Sequence, residues 1–183
     1  MRDEKQIVNA CIQQDRVAQR QLYELAAPKL YVLAKRYMKN ADEAQDVLQD
    51  AFVKIFGNLG GFRFDCPLEA WMKRIVINTA LKAIQKNGQM FKTDIEDYHG
   101  ELGDTPHNLG LENLKMETLL GYIQDLPDGC QTIFNLYAIE GFKHHEIADL
   151  LQISEGTSKS QFSRARQLLV EKIRKEEILS GQK

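Results

Sequence analysis

A chain of 183 residues with 43% hydrophobic and 27% charged side chains can build one moderate core or two small ones, and its patterning favours two. A formal net charge of -2 excludes a protein that coats DNA through its global field, so nucleic-acid binding must come from local basic patches. Cys11, Cys66 and Cys130 are odd in number and far apart, with no Cys-x-x-Cys pair, which argues against a disulfide framework or thiolate zinc site and fits a reducing cytoplasm.

The N-terminus, MRDEKQIVNACIQQD, is charged and amphipathic. No apolar run approaches the roughly 18 residues a membrane helix needs, so we expect a soluble, unprocessed chain without membrane insertion. Helical periodicity dominates thereafter and β-type alternation is nearly absent, which predicts an all-α protein. Helices are expected over Glu4 to Gln13 and Asp15 to about Met38, the second bent or restarted near Pro28. Asn40, Ala41 and Asp42 supply caps for a helix through Gly57. It carries Leu48, Phe52 and Ile55 inward, and Asp46, Gln49 and Asp50 together on the opposite side. That carboxylate, amide and carboxylate face suits arginines of a partner helix; a solvated face and acid-base catalysis are the other readings, the last without a nucleophile.

Asn58 to Asp65, NLGGFRFD, reads as a loop that displays aromatics instead of burying them all. Pro67 suits the first turn of the following helix, which runs to about Lys86. Along it Trp71, Ile75 and Thr79, beside Met72, Val76 and Ala83, are mostly core, whereas Arg74, Asn78, Lys82, Gln85 and Lys86 form a basic and polar stripe. Cations beside exposed aromatics suit a single nucleic-acid strand, and a solvated charged face is the plain alternative.

Residues 88–111 contain five glycines or prolines, at Gly88, Gly100, Gly103, Pro106 and Gly110, and residues 94–112 are acidic with no Lys or Arg. So long a segment inside one compact domain is unusual, so we expect a flexible acidic linker between domains at 1–87 and 112–183. His99 and His107 in it are expected to be solvated. Helices over Glu112 to Leu126 and Asp128 to Ile139 then lead to Gly141–Glu171, which reads as a helix-turn-helix. Its first helix turns Ile147, Ala148 and Leu151 inward, and Gln152, Ile153 and Ser154 make a tight turn with Ser154 as N-cap. In the second, Phe162, Ala165 and Leu169 are the buried stripe, while Lys159, Ser163 and Arg166, flanked by Ser160 and Arg164, offer donors to phosphates and base edges. A helical hairpin with a solvated face satisfies the same pattern. His144, His145, Glu146 and Asp149 do not have the His-Glu-x-x-His spacing of a metal-dependent hydrolase, so we expect neither metal nor cofactor and no enzyme.

Three of these segments, in this order, resemble the sigma factors of bacterial RNA polymerase, specifically the compact extracytoplasmic-function group. DEAQDVLQDAFVKIF is similar to the family's core-polymerase-binding helix, FRFDCPLEAWMKRIVINTALKAIQK to its promoter-melting helix, and GFKHHEIADLLQISEGTSKSQFSRARQLL to its fourth-region helix-turn-helix. The resemblance implies that Asp46, Gln49 and Asp50 engage the coiled-coil clamp helices of the polymerase's large subunit. It also implies that Phe62, Arg63, Phe64 and Asp65, with Arg74, Asn78, Lys82 and Lys86, take the minus-ten element, and that Thr157, Lys159, Ser160, Ser163, Arg164 and Arg166 face the minus-thirty-five element. Core polymerase, promoter DNA and an anti-sigma factor are the implied partners, with no small-molecule substrate. Three positions depart from the family: many relatives carry Asp and Arg where this chain has Lys82 and Gln85, and a β-branched residue where it has Ser158. A conventional helix-turn-helix regulator that binds duplex DNA unaided explains the C-terminal half but leaves the Asp46 face and the aromatic loop without a role. A structural adaptor is a further alternative.

Overall fold

The computed structural model describes residues 4–86 and 116–180, and among them every regular element is a helix. The acidic segment, with His99, His107 and the expected helix start at Glu112, lies outside the described residues. By its internal contacts the chain divides into two units, Met1–Lys86 and Asn87–Lys183.

In the first unit α1 (Glu4–Ile12), α2 (Arg16–Tyr37), α3 (Ala41–Asn58) and α4 (Leu68–Lys86) follow one another, with a 3-10 turn at Leu59–Gly61 after α3. Asp15 starts α2, its carboxylate accepting from the Val17 and Ala18 amides at 2.8 and 3.3 Å. Asn40 starts α3, its side-chain oxygen accepting from the Glu43 amide at 2.8 Å. Pro28 neither breaks nor restarts α2, which is one helix through it. The reason is packing: Ala26, Ala27, Leu30 and Leu33 around it are buried, and that burial outweighs one lost backbone hydrogen bond. Pro67 lies just before α4 rather than in its first turn, its carbonyl accepting the first helical bond from Trp71 at 3.2 Å. Helices α2, α3 and α4 pack on each other, and α1 packs on α2 and the 3-10 turn.

In the second unit α5 (Met116–Gln124) packs on α6 (Asp128–Phe134) and on α8 (Glu155–Ser180), and α7 (His144–Leu151) packs on α8. Tyr122, Ile123, Leu126, Cys130, Phe134, Ala165, Leu169 and Ile173 form the core. The helix expected to end regularly at Ile139 widens instead into a π-helical turn over Asn135–Ile139. This turn brings Tyr137 against α7 and α8. Gly141 then reverses the chain at φ +78°, a conformation that glycine alone adopts without strain.

Trp71 is the chain's only tryptophan and packs on Phe62 with ring centroids 5.2 Å apart, so its fluorescence follows unfolding of the first unit. Ile55→Ala, which empties a fully buried site, should lower the stability of that unit in urea by about 2 to 5 kcal/mol. Val53→Ala on the same helix, at a position 73% exposed, should change it by less than about 0.5 kcal/mol. Equal losses in the two variants would show that α3 is not seated as described.

Candidate functional site

Three exposed faces carry the side chains with chemistry to offer. On α3 the stripe Val47, Leu48, Ala51, Phe52 and Ile55 is buried, which turns Asp46, Gln49 and Asp50 outward one helical turn apart. All three are exposed, and among the described residues neither carboxylate has a hydrogen bond or ion pair. Val53, one turn further on, extends the same face and is 73% exposed. Sequence periodicity did not single it out, because a valine beside Phe52 reads as core until the rotation of the helix is known.

The second face is the loop before α4 and the outer side of that helix. Phe62 is only 7% exposed and packs at a tilt against Trp71 and against Phe64, the latter at a centroid distance of 4.6 Å. Of the two aromatics in a loop expected not to bury them all, Phe62 is therefore the inner one. Phe64 is the half-buried aromatic of the loop, with the Lys5 ammonium 5.6 Å from its ring centre. Its backbone sits at φ +60°, a conformation that costs a bulky residue about 1 to 3 kcal/mol. Arg63 and Asp65 form an exposed ion pair at 3.4 Å. Along α4, Arg74, Asn78, Lys82, Gln85 and Lys86 are all exposed, while Met72, Val76, Thr79 and Ala80 face the core.

The third face belongs to α8. Helix α7 opens with the Lys143 amide donating to Glu146 Oε2 at 2.7 Å and closes at Gln152, which takes the left-handed conformation at φ +56°. Ser154 caps α8 as expected, accepting from the Thr157 amide at 2.9 Å, and its hydroxyl also pairs with that of Thr157 at 2.8 Å. Thr157 is therefore engaged in capping. Ser158, Gln161, Ala165, Leu169 and Ile173 are buried, which leaves Lys159 exposed and Ser160, Ser163, Arg164 and Arg166 half-buried around it. Lys159 holds Glu155 at 2.8 Å, and this hydrogen bond, with the charge behind it, keeps the Glu155 carboxyl below its usual range. The Arg166 guanidinium lies 6.0 Å over the Phe162 ring, and Ser160 donates back to the Thr157 carbonyl at 3.0 Å.

Sequence reasoning missed the partner of His144. Its Nδ1 lies 2.9 Å from the hydroxyl of buried Ser158, and its ring lies flat on Tyr137 with centroids 4.2 Å apart. A serine where the family resemblance leads one to expect a β-branched residue was the available signal.

The chain is similar along most of its length to known proteins. Residues 22–89 match the family model for sigma-70 region 2, and residues 116–169 that for sigma-70 region 4. The RNA polymerase sigma-H factor of Pseudomonas aeruginosa is 32% identical over 151 residues, which cover 77% of this chain and 78% of that protein. The ECF RNA polymerase sigma-E factor of Haemophilus influenzae is 29% identical over 155 residues, covering 79% of this chain and 82% of its own. Among solved structures, the sigma factor RpoE of Bartonella quintana, crystallised with the anti-sigma factor NepR, shares the fold. Its TM-score is 0.53 at 23% identity, over 85% of this chain and 96% of that one.

Burial pushes the His144 imidazole below its ordinary value of 6.5, and Lys159 adds to the effect while Glu155 opposes it. As pH falls through that ordinary value the unfolded chain takes the proton first, so the second unit loses stability toward acid and regains it above neutrality. The pH 7.5 to 5.5 fall in melting temperature should therefore be smaller in His144→Asn than in the native chain, as read by circular dichroism. An unchanged difference would mean that His144 titrates as it does in water.

Proposed function

Because the chain belongs to the extracytoplasmic-function group of RNA polymerase sigma factors and directs transcription initiation, we propose a division of labour between its two units. Helix α3 docks the polymerase: Val53 is the apolar centre of the contact, and Asp46, Gln49 and Asp50 are a polar rim that meets basic side chains of the clamp helices. The observation that carries this reading is the exposed Val53 beside two carboxylates with no partner among the described residues.

The loop before α4 takes the opened minus-ten strand. Phe64 offers a ring to an unpaired base, with Phe62 as its buried support, and Arg63 and Asp65 flank it. Arg74, Asn78, Lys82 and Lys86 track the strand along α4, the cations meeting phosphates and the amide a base edge. Helix α8 reads the minus-thirty-five element, with Lys159 near its N-terminal end at the bases and Arg164 and Arg166 at phosphates, while Thr157, Ser160 and Ser163 supply hydroxyls. Residues 88–111 link the two units. The protein supplies binding free energy to recruitment and strand opening and makes no covalent bond itself. No helix among the described residues is long and apolar enough to cross a membrane, and we place the chain with polymerase in the cytoplasm. The relative solved with NepR is a sigma factor bound by an anti-sigma factor, and we assign this chain a partner of the same kind.

Run-off transcription with purified core polymerase tests the whole reading, and promoter-specific product is the expected result. Tight duplex binding by the free chain with no such product would instead indicate a conventional helix-turn-helix regulator. Capture of polymerase without promoter-specific product would indicate an adaptor. Within the reading, Asp46→Ala with Asp50→Ala should weaken the polymerase complex by about 2 to 5 kcal/mol if the charges are paired and desolvated there. A change of about 0 to 1 kcal/mol would mark them as solvated. Urea unfolding followed at Trp71 should be unchanged in the double variant.

Phe64→Ala and Asn78→Ala should impair transcription from duplex promoters more than from templates with a pre-melted bubble whose recognition bases are intact. Comparison of transcript yields on the two templates decides it. Equal loss on both would assign these side chains to general affinity or folding.

A further inference from the structure

Helix α8 is joined to α7 by a directional contact as well as by apolar packing. Ser158 is fully buried, and its Oγ lies 2.9 Å from His144 Nδ1. The imidazole has little freedom: Tyr137 lies flat against one side at an interplanar angle of 13°, and Phe162 meets it at 62° with centroids 5.9 Å apart. Nδ1 is therefore aimed at one point on α8.

Successive residues of an α-helix are turned by about 100° from one another. Seating Ser158 against His144 thus sends Thr157 to one flank of α8 and Lys159 to the other. Apolar contacts tolerate a small rotation of the helix, whereas a hydrogen bond weakens steeply as its geometry is lost. A β-branched residue at this position would seat the helix by shape alone. Here a hydroxyl and its ring partner do so by direction.

We propose that the Ser158–His144 hydrogen bond is a positioning contact that sets the rotation of α8 and thereby the base preference of Lys159 at the minus-thirty-five element. Buried Ser158 meets no DNA and acts through its exposed neighbour. The inference rests on the reading of α8 as the DNA-contacting helix.

The test uses the full chain with core polymerase on promoters that differ only in their minus-thirty-five bases. Its readout is the ratio of transcripts from the preferred and the substituted elements. Ser158→Ala removes the hydroxyl, and His144→Phe keeps a ring on Tyr137 without the nitrogen. Each should lower the ratio by about two- to tenfold, the range that one neutral hydrogen bond spans. His144→Asn, whose amide reaches the place of Nδ1, should restore most of the ratio. Lower transcription from every promoter with an unchanged ratio is the signature of a merely structural role and overturns the proposal. Lys159→Ala separates the two claims. If it collapses the ratio while Ser158→Ala and His144→Phe do not, the positioning role fails and the reading of α8 stands. If it too leaves the ratio unchanged, both fail.

Discussion

Burial of Val47, Leu48, Ala51, Phe52 and Ile55 against the neighbouring helices sets the rotation of α3, and the outward face of that helix follows from it. Phe52 is central to the contact, its ring 4.6 Å from Tyr23 of α2 and 5.8 Å from Phe56. With these apolar groups inside, Asp46, Gln49, Asp50 and Val53 have nowhere to go but out. The same constraint reaches α4 through a polar clip: Lys54 donates to the Thr79 hydroxyl at 3.0 Å, and Thr79 donates in turn to the Ile75 carbonyl at 2.8 Å. The helix proposed to meet polymerase and the helix proposed to take the opened strand are therefore held in one small rigid body, which is what a contact made on polymerase needs if it is to place residues on DNA.

The second unit uses a different means to the same end. Gln131, Thr132, Asn135, Ser158 and Gln161 are buried polar residues in a small core, and Cys130 Sγ donates to Gln161 Oε1 at 3.0 Å. Buried polar groups contribute little net stability, but each demands a partner in a defined direction. A core with such groups accepts fewer alternative seatings of its helices than a purely apolar one. For a helix proposed to present particular side chains to base edges, that restriction matters more than added stability.

Neither proposed recognition surface is built for strong binding alone. The ion pairs Arg63–Asp65 and Lys159–Glu155 are exposed, so exchanging an internal carboxylate for an acceptor on DNA costs little. The net charge of -2 gives the free chain no general attraction to DNA. In our reading, affinity comes from tethering: once polymerase holds the chain, binding of each unit to the promoter becomes intramolecular and weak contacts act together. The left-handed backbone at Phe64 fits the same proposal, since a ring held in place loses less freedom on binding.

Helical class, the caps at Asn40 and Ser154, and the helix-turn-helix were legible in the sequence because they depend on residues within a few positions of one another. The exposed triad on α3 and the basic stripe on α4 were legible for the same reason, through periodicity. Phe62 and Phe64 were not separable, because two aromatics around one arginine look alike until the packing of Trp71 decides which is inside. Pro28 misled in the same way: its local effect on a helix is known, but the apolar contacts that override it come from other helices. Ser158 and His144 are fourteen positions apart, and only the crossing of α7 and α8 with the π-helical turn behind them brings hydroxyl and ring together. Local chemistry thus determined which helices form and which faces are polar, and the tertiary structure alone decided how far each helix is rotated, because rotation is set by contacts between segments distant in the chain.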